Sequence, residues 1–191
     1  RDGLVTAIIG KPNVGKSSLL NLLLRDERSI VTDVPGTTRD SIEEYADIEG
    51  IPLRIIDTAG IRQTNDKVEK LGVDKARVYI EKADLILALF DSSRPIDNDD
   101  KEIIELIDNK NAIIVFNKSD LQKLFDEKYI QAKYPHNRII HIYTIKENGL
   151  GELIEVIKGL VYGGNIIRSE GEFVNSVRQA NAFRDADRHL S

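Results

Sequence analysis

The residues best suited to chemistry near the start of the chain are two glycines, a lysine and a serine at fixed spacing. They form the run Gly10-Lys-Pro-Asn-Val-Gly15-Lys16-Ser17, which fits the pattern G-x4-G-K-[ST]. The two glycines let the backbone wrap closely around an anion, so that N–H groups and a helix N-terminus point at it. Lys16 supplies a positive charge for β- and γ-phosphates, and the Ser17 hydroxyl can reach Mg²⁺. The run therefore predicts a phosphate-binding loop; the alternative is a strand-to-helix turn that binds nothing.

This loop also predicts which backbone and side-chain groups contact the phosphates. They are consecutive: Asn13, Val14, Gly15, Lys16, Ser17 and Ser18. A phosphate loop alone leaves GTPases, ATPases and small-molecule kinases open, so the class of nucleotide depends on later residues.

A second polar group, Asp57-Thr-Ala-Gly60, stands at the end of a predicted strand. Asp57 is placed to hold Mg²⁺ through water, and the Gly60 N–H can contact the γ-phosphate. An isolated D-x-x-G could simply cap a turn. Because it follows a phosphate loop at a fitting separation, we assign it to the metal and the γ-phosphate.

A third group, Asn117-Lys118-Ser119-Asp120, follows another predicted strand and fits N-K-x-D. The Asp120 carboxylate can accept hydrogen bonds from N1–H and the exocyclic amine of guanine, which adenine does not offer. A carboxylate left unpaired in a site is costly, so ATP should be rejected. Ligands of such folds bind at the carboxyl ends of the strands, which supports a base site at Asn117, Lys118 and Asp120.

These groups need a scaffold of buried strands alternating with amphipathic helices, which is typical of a parallel sheet covered on both faces. The sequence predicts strands over residues 4–9, 53–57, 84–90, 111–116 and 138–143, and an antiparallel edge hairpin joining 45–48 to 51–53. It predicts helices over residues 16–24, 68–81, 99–108, 126–132 and 151–161. The expected fold class is α/β, a Ras-like P-loop GTPase: a mostly parallel six-stranded sheet with one antiparallel edge strand and helices on both faces.

The composition excludes several other classes. With 191 residues, 41% of them hydrophobic, and no cysteine, the chain can close one core and forms no disulfide framework. A net charge of -5 argues against a broad basic face for nucleic acid. The longest apolar runs fall far short of the roughly 20 residues that cross a bilayer. The first strand starts too early to leave room for a signal peptide, so we expect no membrane contact and a cytoplasmic location.

Four further runs carry a family resemblance. They are Pro35-Gly-Thr-Thr38-Arg-Asp40, Asp57-Thr-Ala-Gly60-Ile-Arg62, Val68-Glu69-Lys-Leu-Gly72 and Asp91-Ser-Ser93. In combination they make residues 3 to 160 resemble the G domain of the MnmE (TrmE) family of tRNA-modification GTPases. The Der and Era families share the phosphate loop and the base motif, but the spacing from Asp57 to Glu69 is more similar to MnmE.

The resemblance implies a set of catalytic and metal-binding residues. Thr38 is the candidate switch ligand of Mg²⁺ together with Ser17 and Asp57, and Thr38 and Lys16 join Glu69 as the expected catalytic residues. In the family a potassium ion beside the phosphates replaces an arginine finger. Its expected ligands here are the side-chain oxygen of Asn13 and the backbone oxygens of Thr32 and Val34. Glu69 matches the glutamate that positions the attacking water through a further water.

Less specific readings stay open beside these assignments. The residue after Gly60 is Ile61, which can neither orient a water nor neutralise charge, and Gln63 is an alternative for that task. Asn13 could brace its own loop, and Glu69 could be an ordinary acid in the first turn of a helix. The family's base-flanking Ser-Ala-Lys appears as Thr144-Ile145-Lys146, so backbone contacts to guanine are assigned to Thr144 and Ile145 only loosely.

The chain divides into a GTP-binding domain over residues 1–162 and a segment over 163–191. The second resembles a linker and a partial helical segment re-entering a helical domain that is absent here, and a solvated tail is its alternative. The resemblance implies Mg²⁺- and potassium-dependent hydrolysis of GTP to GDP, transient pairing of two G domains, and modification of tRNA wobble uridine with the partner MnmG. The alternatives are a ribosome-assembly GTPase of the Der or Era type, and a GTP-dependent interaction module with little hydrolysis.

Overall fold

The structure, a computed structural model, describes residues 3–25, 43–56, 72–135, 138–144 and 149–164. Within these ranges strands and helices largely alternate. In chain order they are β1 (Leu4–Ile9), α1 (Lys16–Arg25), β2 (Glu44–Ile48), β3 (Ile51–Ile56), α2 (Gly72–Lys82), β4 (Leu85–Asp91), α3 (Asn98–Leu106), β5 (Ala112–Asn117), α4 (Lys128–Gln131), β6 (Ile139–His141) and α5 (Leu150–Tyr162).

The strands form one six-stranded sheet in the order β2-β3-β1-β4-β5-β6. β2 pairs antiparallel with β3, and every other neighbouring pair is parallel. The predicted fold class is therefore confirmed: a mostly parallel sheet with one antiparallel edge strand. Because β1, β4, β5 and β6 are parallel, the loops that follow them leave the same edge of the sheet.

Both faces of the sheet are covered by helices, which explains why the central strands are unbroken apolar runs. One buried cluster joins alternate residues of β1, such as Leu4 and Ile8, to leucines and isoleucines of α1 and α5. The other joins Val5, Ala7 and Ile9 to apolar side chains of α2, α3 and α4. The two-residue period of β1 thus places α1 and α5 on one face and the remaining helices on the other.

The predicted antiparallel edge hairpin is confirmed, but the prediction split residues 51–57 between a hairpin arm and a separate strand. The structure has one strand, β3, whose antiparallel ladder with β2 begins at the Ile48–Ile51 pair. Pro52 lies within the predicted 51–53 arm of the hairpin. The parallel ladder with β1 begins only at Leu53, so Pro52 stands outside that ladder and its missing N–H does not interrupt it.

Several predicted bounds are corrected by one or a few residues. The strand predicted over 138–143 is Ile139–His141, and the helix predicted over 99–108 ends at Leu106 and continues as a turn. The helix predicted over 126–132 is only Lys128–Gln131, and the Asp126 carboxylate accepts a hydrogen bond from the Lys128 N–H at its start, at 3.2 Å. The predicted start of the 68–81 helix lies outside the described residues, and so does nearly all of segment 163–191. In the part of the chain that the structure describes, no helix has both the length and the apolar character to cross a membrane.

Candidate nucleotide-binding site

The loop between β1 and α1 has the backbone conformation that its two glycines predict. Gly10 and Gly15 have φ values of 150° and 104°, in the region that favours glycine. A Cβ atom on Gly10 would lie 2.6 Å from the Leu89 carbonyl oxygen, and one on Gly15 would collide with the Asn117 side-chain amide. The glycines therefore let the loop pack against the ends of β4 and β5, which a side chain would prevent.

Lys16 is the first residue of α1, and its ammonium group lies over the loop. Its Nζ donates hydrogen bonds to the carbonyl oxygens of Gly10 at 2.8 Å and Lys11 at 2.7 Å. Ser17 follows in the first turn with a partly buried side chain, and Ser18 is exposed. The first N–H groups of a helix have no carbonyl partner within it, so this turn and the Lys16 charge together suit a polyphosphate.

A second lysine, which the sequence pattern leaves unspecified, anchors the loop to α3. Lys11 Nζ lies 2.5 Å from Asp97 Oδ2 and 2.9 Å from Asp100 Oδ2. These acids are also the capping box of α3, since each carboxylate accepts a hydrogen bond from the other residue's backbone N–H. Burial disfavours the charged form of Lys11, but the hydrogen bonds to both acids outweigh it and raise the pKa of Lys11. Burial raises the pKa of Asp100. The loop is thus fixed by a partly buried ion pair.

Asn117, at the end of β5, connects three loops with one side chain. Its Nδ2 donates to the Val14 carbonyl oxygen at 2.9 Å, and its Oδ1 accepts from the Thr144 N–H at 3.4 Å. The side chain is almost fully buried, with 2% of the residue exposed. The structure therefore brings together Val14, Asn117 and Thr144, three residues that the sequence assigned to nucleotide binding.

The rest of the predicted base motif lies at the same edge of the sheet. Lys118 has a φ of 61° and its Nζ donates to Asp91 Oδ2. The Ser119 N–H donates to the Ile142 carbonyl at 3.2 Å, which ties this loop to the segment after β6. Asp120 is exposed beyond them. Its carboxylate is therefore accessible to a purine, as the guanine hypothesis requires.

Sequence reasoning gave Asp91, Ser92 and Ser93 no role beyond family resemblance, yet they support the base motif. Asp91 is buried; despite the opposing effect of that burial, bonds from Lys118 and Ser93 lower its pKa. The Ser92 N–H and Oγ both donate to the Asn117 carbonyl, at 3.1 Å and 2.6 Å. The position of Asp91 could have indicated this role, because Asp91 ends β4, the strand beside β5, in register with Asn117.

The remaining predicted site residues fall outside the described ranges. They are Thr32, Val34, Thr38, Asp57, Gly60, Glu69 and Ile145. Of the expected potassium ligands only Asn13 is described, and it is exposed with a φ of 62°. Among the described residues no three His, Cys, Asp or Glu side chains cluster to hold a metal. Ser17 lies in the first turn of α1, and a serine hydroxyl is an oxygen ligand of the kind that Mg²⁺ accepts.

Comparison with known proteins agrees with this geometry. Residues 5–118 match the family described as 50S ribosome-binding GTPase. The "tRNA modification GTPase MnmE" of Thermoanaerobacter sp. (strain X514) is 50% identical over 190 residues, which is 100% of this chain and 41% of that protein. The chain thus spans less than half the length of this relative.

Solved structures give the same fold. A crystal structure of Era in complex with MgGDPNP and nucleotides 1506–1542 of 16S ribosomal RNA is 34% identical, with a TM-score of 0.58 over 80% of this chain and 55% of that one. The G domain of the T. maritima FeoB iron transporter, 24% identical with a TM-score of 0.55 over 82% of this chain and 98% of that one, shows the fold alone. The chain belongs to the GTPase family described as 50S ribosome-binding, and its resemblance to MnmE extends over its whole length.

Proposed function

We propose that this chain binds GTP and hydrolyses it to GDP and phosphate, and that the whole protein uses this cycle in tRNA modification. The observation that carries the proposal is the Asn117 side chain, which holds the phosphate loop against the base-recognition loops. That arrangement suits a ligand with a polyphosphate at one end and a guanine at the other. Membership of a GTPase family supports the same ligand.

Hydrolysis needs attack of water on the γ-phosphorus while the bond from that phosphorus to the β–γ bridging oxygen breaks. Lys16 carries the positive charge that would balance the charge growing on the β-phosphate. Its ammonium now rests on two loop carbonyls, and a phosphate oxygen can replace either of them. Glu69 orients the water in this proposal through a second water. Mg²⁺, held by Ser17, Thr38 and Asp57, would supply further charge neutralisation when bound.

The residue after Gly60 is Ile61, so the chain offers no glutamine at the position where many GTPases orient the water. This supports a second cation beside the phosphates. Potassium, held by Asn13, Thr32 and Val34, would there supply the charge that other families take from an arginine finger. Asn13 is exposed on the phosphate loop, which gives its side-chain oxygen access to such an ion. In this proposal two G domains pair transiently across their switch regions and enclose the ion.

The biological role rests on identity over the whole chain. The MnmE relative, which is 50% identical in sequence, supports a role in tRNA modification. In this proposal MnmG and tRNA bind the parts of the whole protein beyond this chain. The competing role is ribosome assembly, which the Era structure at 34% identity and the family description favour. The ribosomal alternative predicts binding of the whole protein to ribosomal RNA, whereas the tRNA proposal predicts loss of wobble-uridine modification when the gene is deleted.

Turnover against protein concentration, in KCl and in NaCl at equal ionic strength, tests the enzymatic proposal, with ATP as control. The expected result is GTP turnover that rises in KCl only and grows more than linearly with protein. Equal rates in both salts would support GTP hydrolysis but would refute the proposed potassium site. No turnover in either salt, with GTP bound, would support the interaction module.

The Glu69→Ala variant tests the catalytic residue, with Glu81→Ala as the matched control, since Glu81 is an exposed acid of α2. Loss of turnover at unchanged GTP affinity is expected for Glu69→Ala only. Full turnover would assign Glu69 to an ordinary surface position. Asn13→Ala is expected to remove the response to potassium, and a variant that keeps it would exclude Asn13 from the ion site.

A further inference from the structure

Asp91 lies at the carboxyl end of β4, next to the base-recognition loop, and its carboxylate takes no part in the proposed hydrolysis. Only 5% of the residue is exposed. Its Oδ1 accepts from the Ser93 N–H at 3.0 Å and from Ser93 Oγ at 2.6 Å. Its Oδ2 accepts from Lys118 Nζ at 2.5 Å. Three donors hold this buried carboxylate in one orientation, so it can restrict the position of a side chain that is bonded to it.

The side chain that Asp91 restricts is that of Lys118, through the ion pair between Asp91 Oδ2 and Lys118 Nζ. Its backbone follows β5 in a left-handed conformation, with a φ of 61°, and its ammonium lies at the end of the neighbouring strand β4. The aliphatic part of the side chain therefore crosses the ligand-binding edge of the sheet between the two strands. Since 30% of the Lys118 side chain is exposed, one side of this chain is open to solvent. A flat purine can rest on such a surface, which combines methylene groups with a nearby positive charge.

We propose that Asp91 is a positioning residue for guanine-nucleotide binding: it holds Lys118 extended as a platform for the base. The inference rests on the proposed function. A free lysine side chain has many rotamers, and ordering it on binding costs entropy that the ion pair removes in advance. Asp91 thus acts on the base end of the nucleotide, whereas the Lys11 ion pair and the glycines act on the phosphate end.

A second charged residue reaches Asp91 and serves as the control. Arg94 Nε lies 3.6 Å from Asp91 Oδ2, but 64% of its side chain is exposed and it contacts neither base loop in the described contacts. Loss of Arg94 should therefore remove a charge near Asp91 without moving Lys118. Arg94→Gln is expected to bind GDP within about twofold of the wild type.

The test is a double-mutant cycle on GDP affinity in the full chain, with Asp91→Asn, Lys118→Met and the two together. Each single variant is expected to weaken GDP binding about tenfold. The double variant should be no weaker than Lys118→Met alone, because Asp91 acts through Lys118. Losses that multiply to about a hundredfold in the double variant would refute the proposal.

A ligand without a base separates positioning from general damage to the fold. Inorganic triphosphate, measured as a competitor, should bind the Asp91→Asn variant within about twofold of the wild type. Equal losses for triphosphate and GDP would refute the proposal, because they would mean that the phosphate loop is disturbed. If Asp91→Asn does not fold, Asp91→Glu keeps the charge but displaces it by one methylene, and the same cycle with Lys118→Met applies.

The proposed function can fail independently of this inference. A wild-type chain that binds ADP as tightly as GDP would refute guanine recognition itself. A wild type that prefers GDP, with Asp91 variants that bind GDP equally tightly, would refute only the role of Asp91.

Discussion

Asn117→Ala is expected to destabilise the nucleotide-free protein as well as weaken nucleotide binding. The side chain makes two buried hydrogen bonds, to Val14 at 2.9 Å and from Thr144 at 3.4 Å, and both partners belong to buried residues. Leaving a buried polar group unsatisfied costs about 1 to 3 kcal/mol. The shorter bond should account for most of the effect, so we expect the free energy of unfolding to fall by about 2 to 4 kcal/mol. This is a large part of the roughly 5 to 15 kcal/mol by which a typical domain is stable.

Urea unfolding without nucleotide measures this loss, with far-ultraviolet circular dichroism as the signal. The midpoint should fall while the m-value stays the same, because the variant exposes the same surface on unfolding. The matched control is Asp120→Ala, from the same four-residue motif but with an exposed side chain. It should lose guanine affinity and keep its stability within about 0.5 kcal/mol.

The comparison of these two variants tests the reasoning directly. If Asn117→Ala is as stable as the Asp120 variant, the amide does not hold the loops together in the free protein. The hydrogen bonds to Val14 and Thr144 would then have no measurable effect on the folded state, and the structural basis of the proposed site would be lost.

Three further outcomes are expected. Asp120→Asn should bind GTP at least tenfold more weakly and gain affinity for xanthosine triphosphate, because an amide can donate to the second carbonyl of xanthine; competition binding measures this, and a retained preference for GTP would contradict the account of base recognition. Bonds from Lys118 and Ser93 hold the pKa of Asp91 below its usual 3.8 against the effect of burial, so this stabilisation is present above that pH and is lost as the pH falls below it. Asp91→Asn should therefore show a weaker dependence of unfolding free energy on acid pH, and an unchanged dependence would mean that the ion pair is not formed in solution. Burial, helped by Asp108, raises the pKa of Tyr134 from 10.0 to about 12, so stability should fall as the pH rises between these values. Tyr134→Phe loses the hydrogen bond to the Ile104 carbonyl, costs about 1 kcal/mol at neutral pH, and should remove that alkaline loss in urea titrations.

The sheet could be predicted because its strands are short apolar runs that only a two-sided burial explains. Residues 4–9 are a strand with the predicted bounds, and the 84–90 and 111–116 strands are displaced by one residue at each end. The edge was harder. The predicted antiparallel hairpin is confirmed, but its second arm and the following strand are one continuous strand, β3: Pro52 pairs with Asp47 of β2, and the ladder with β1 starts one residue later. A local pattern does not contain the register of neighbouring strands, which decides whether a missing N–H matters.

The site could be predicted where its chemistry is local and not where it depends on distant neighbours. The spacing of Gly10, Gly15 and Lys16 gives the phosphate loop, and the positive φ values follow from the glycine positions. Lys11 is an unspecified position of the same pattern. Its role as an anchor to α3 depends on acids far along the chain, which no periodicity or spacing connects to it.

The two contacts that fix the phosphate loop have a consequence for how the site is assembled during folding. Lys11 and Asp97 are 86 residues apart in sequence, and Val14 and Asn117 are 103 residues apart. Closing such long loops costs entropy that is recovered only after β1, β4 and β5 have paired. The loop is therefore expected to take its final form late in folding. A nucleotide that binds only the completed loop then adds to the stability of the whole sheet in proportion to the logarithm of its concentration over its dissociation constant.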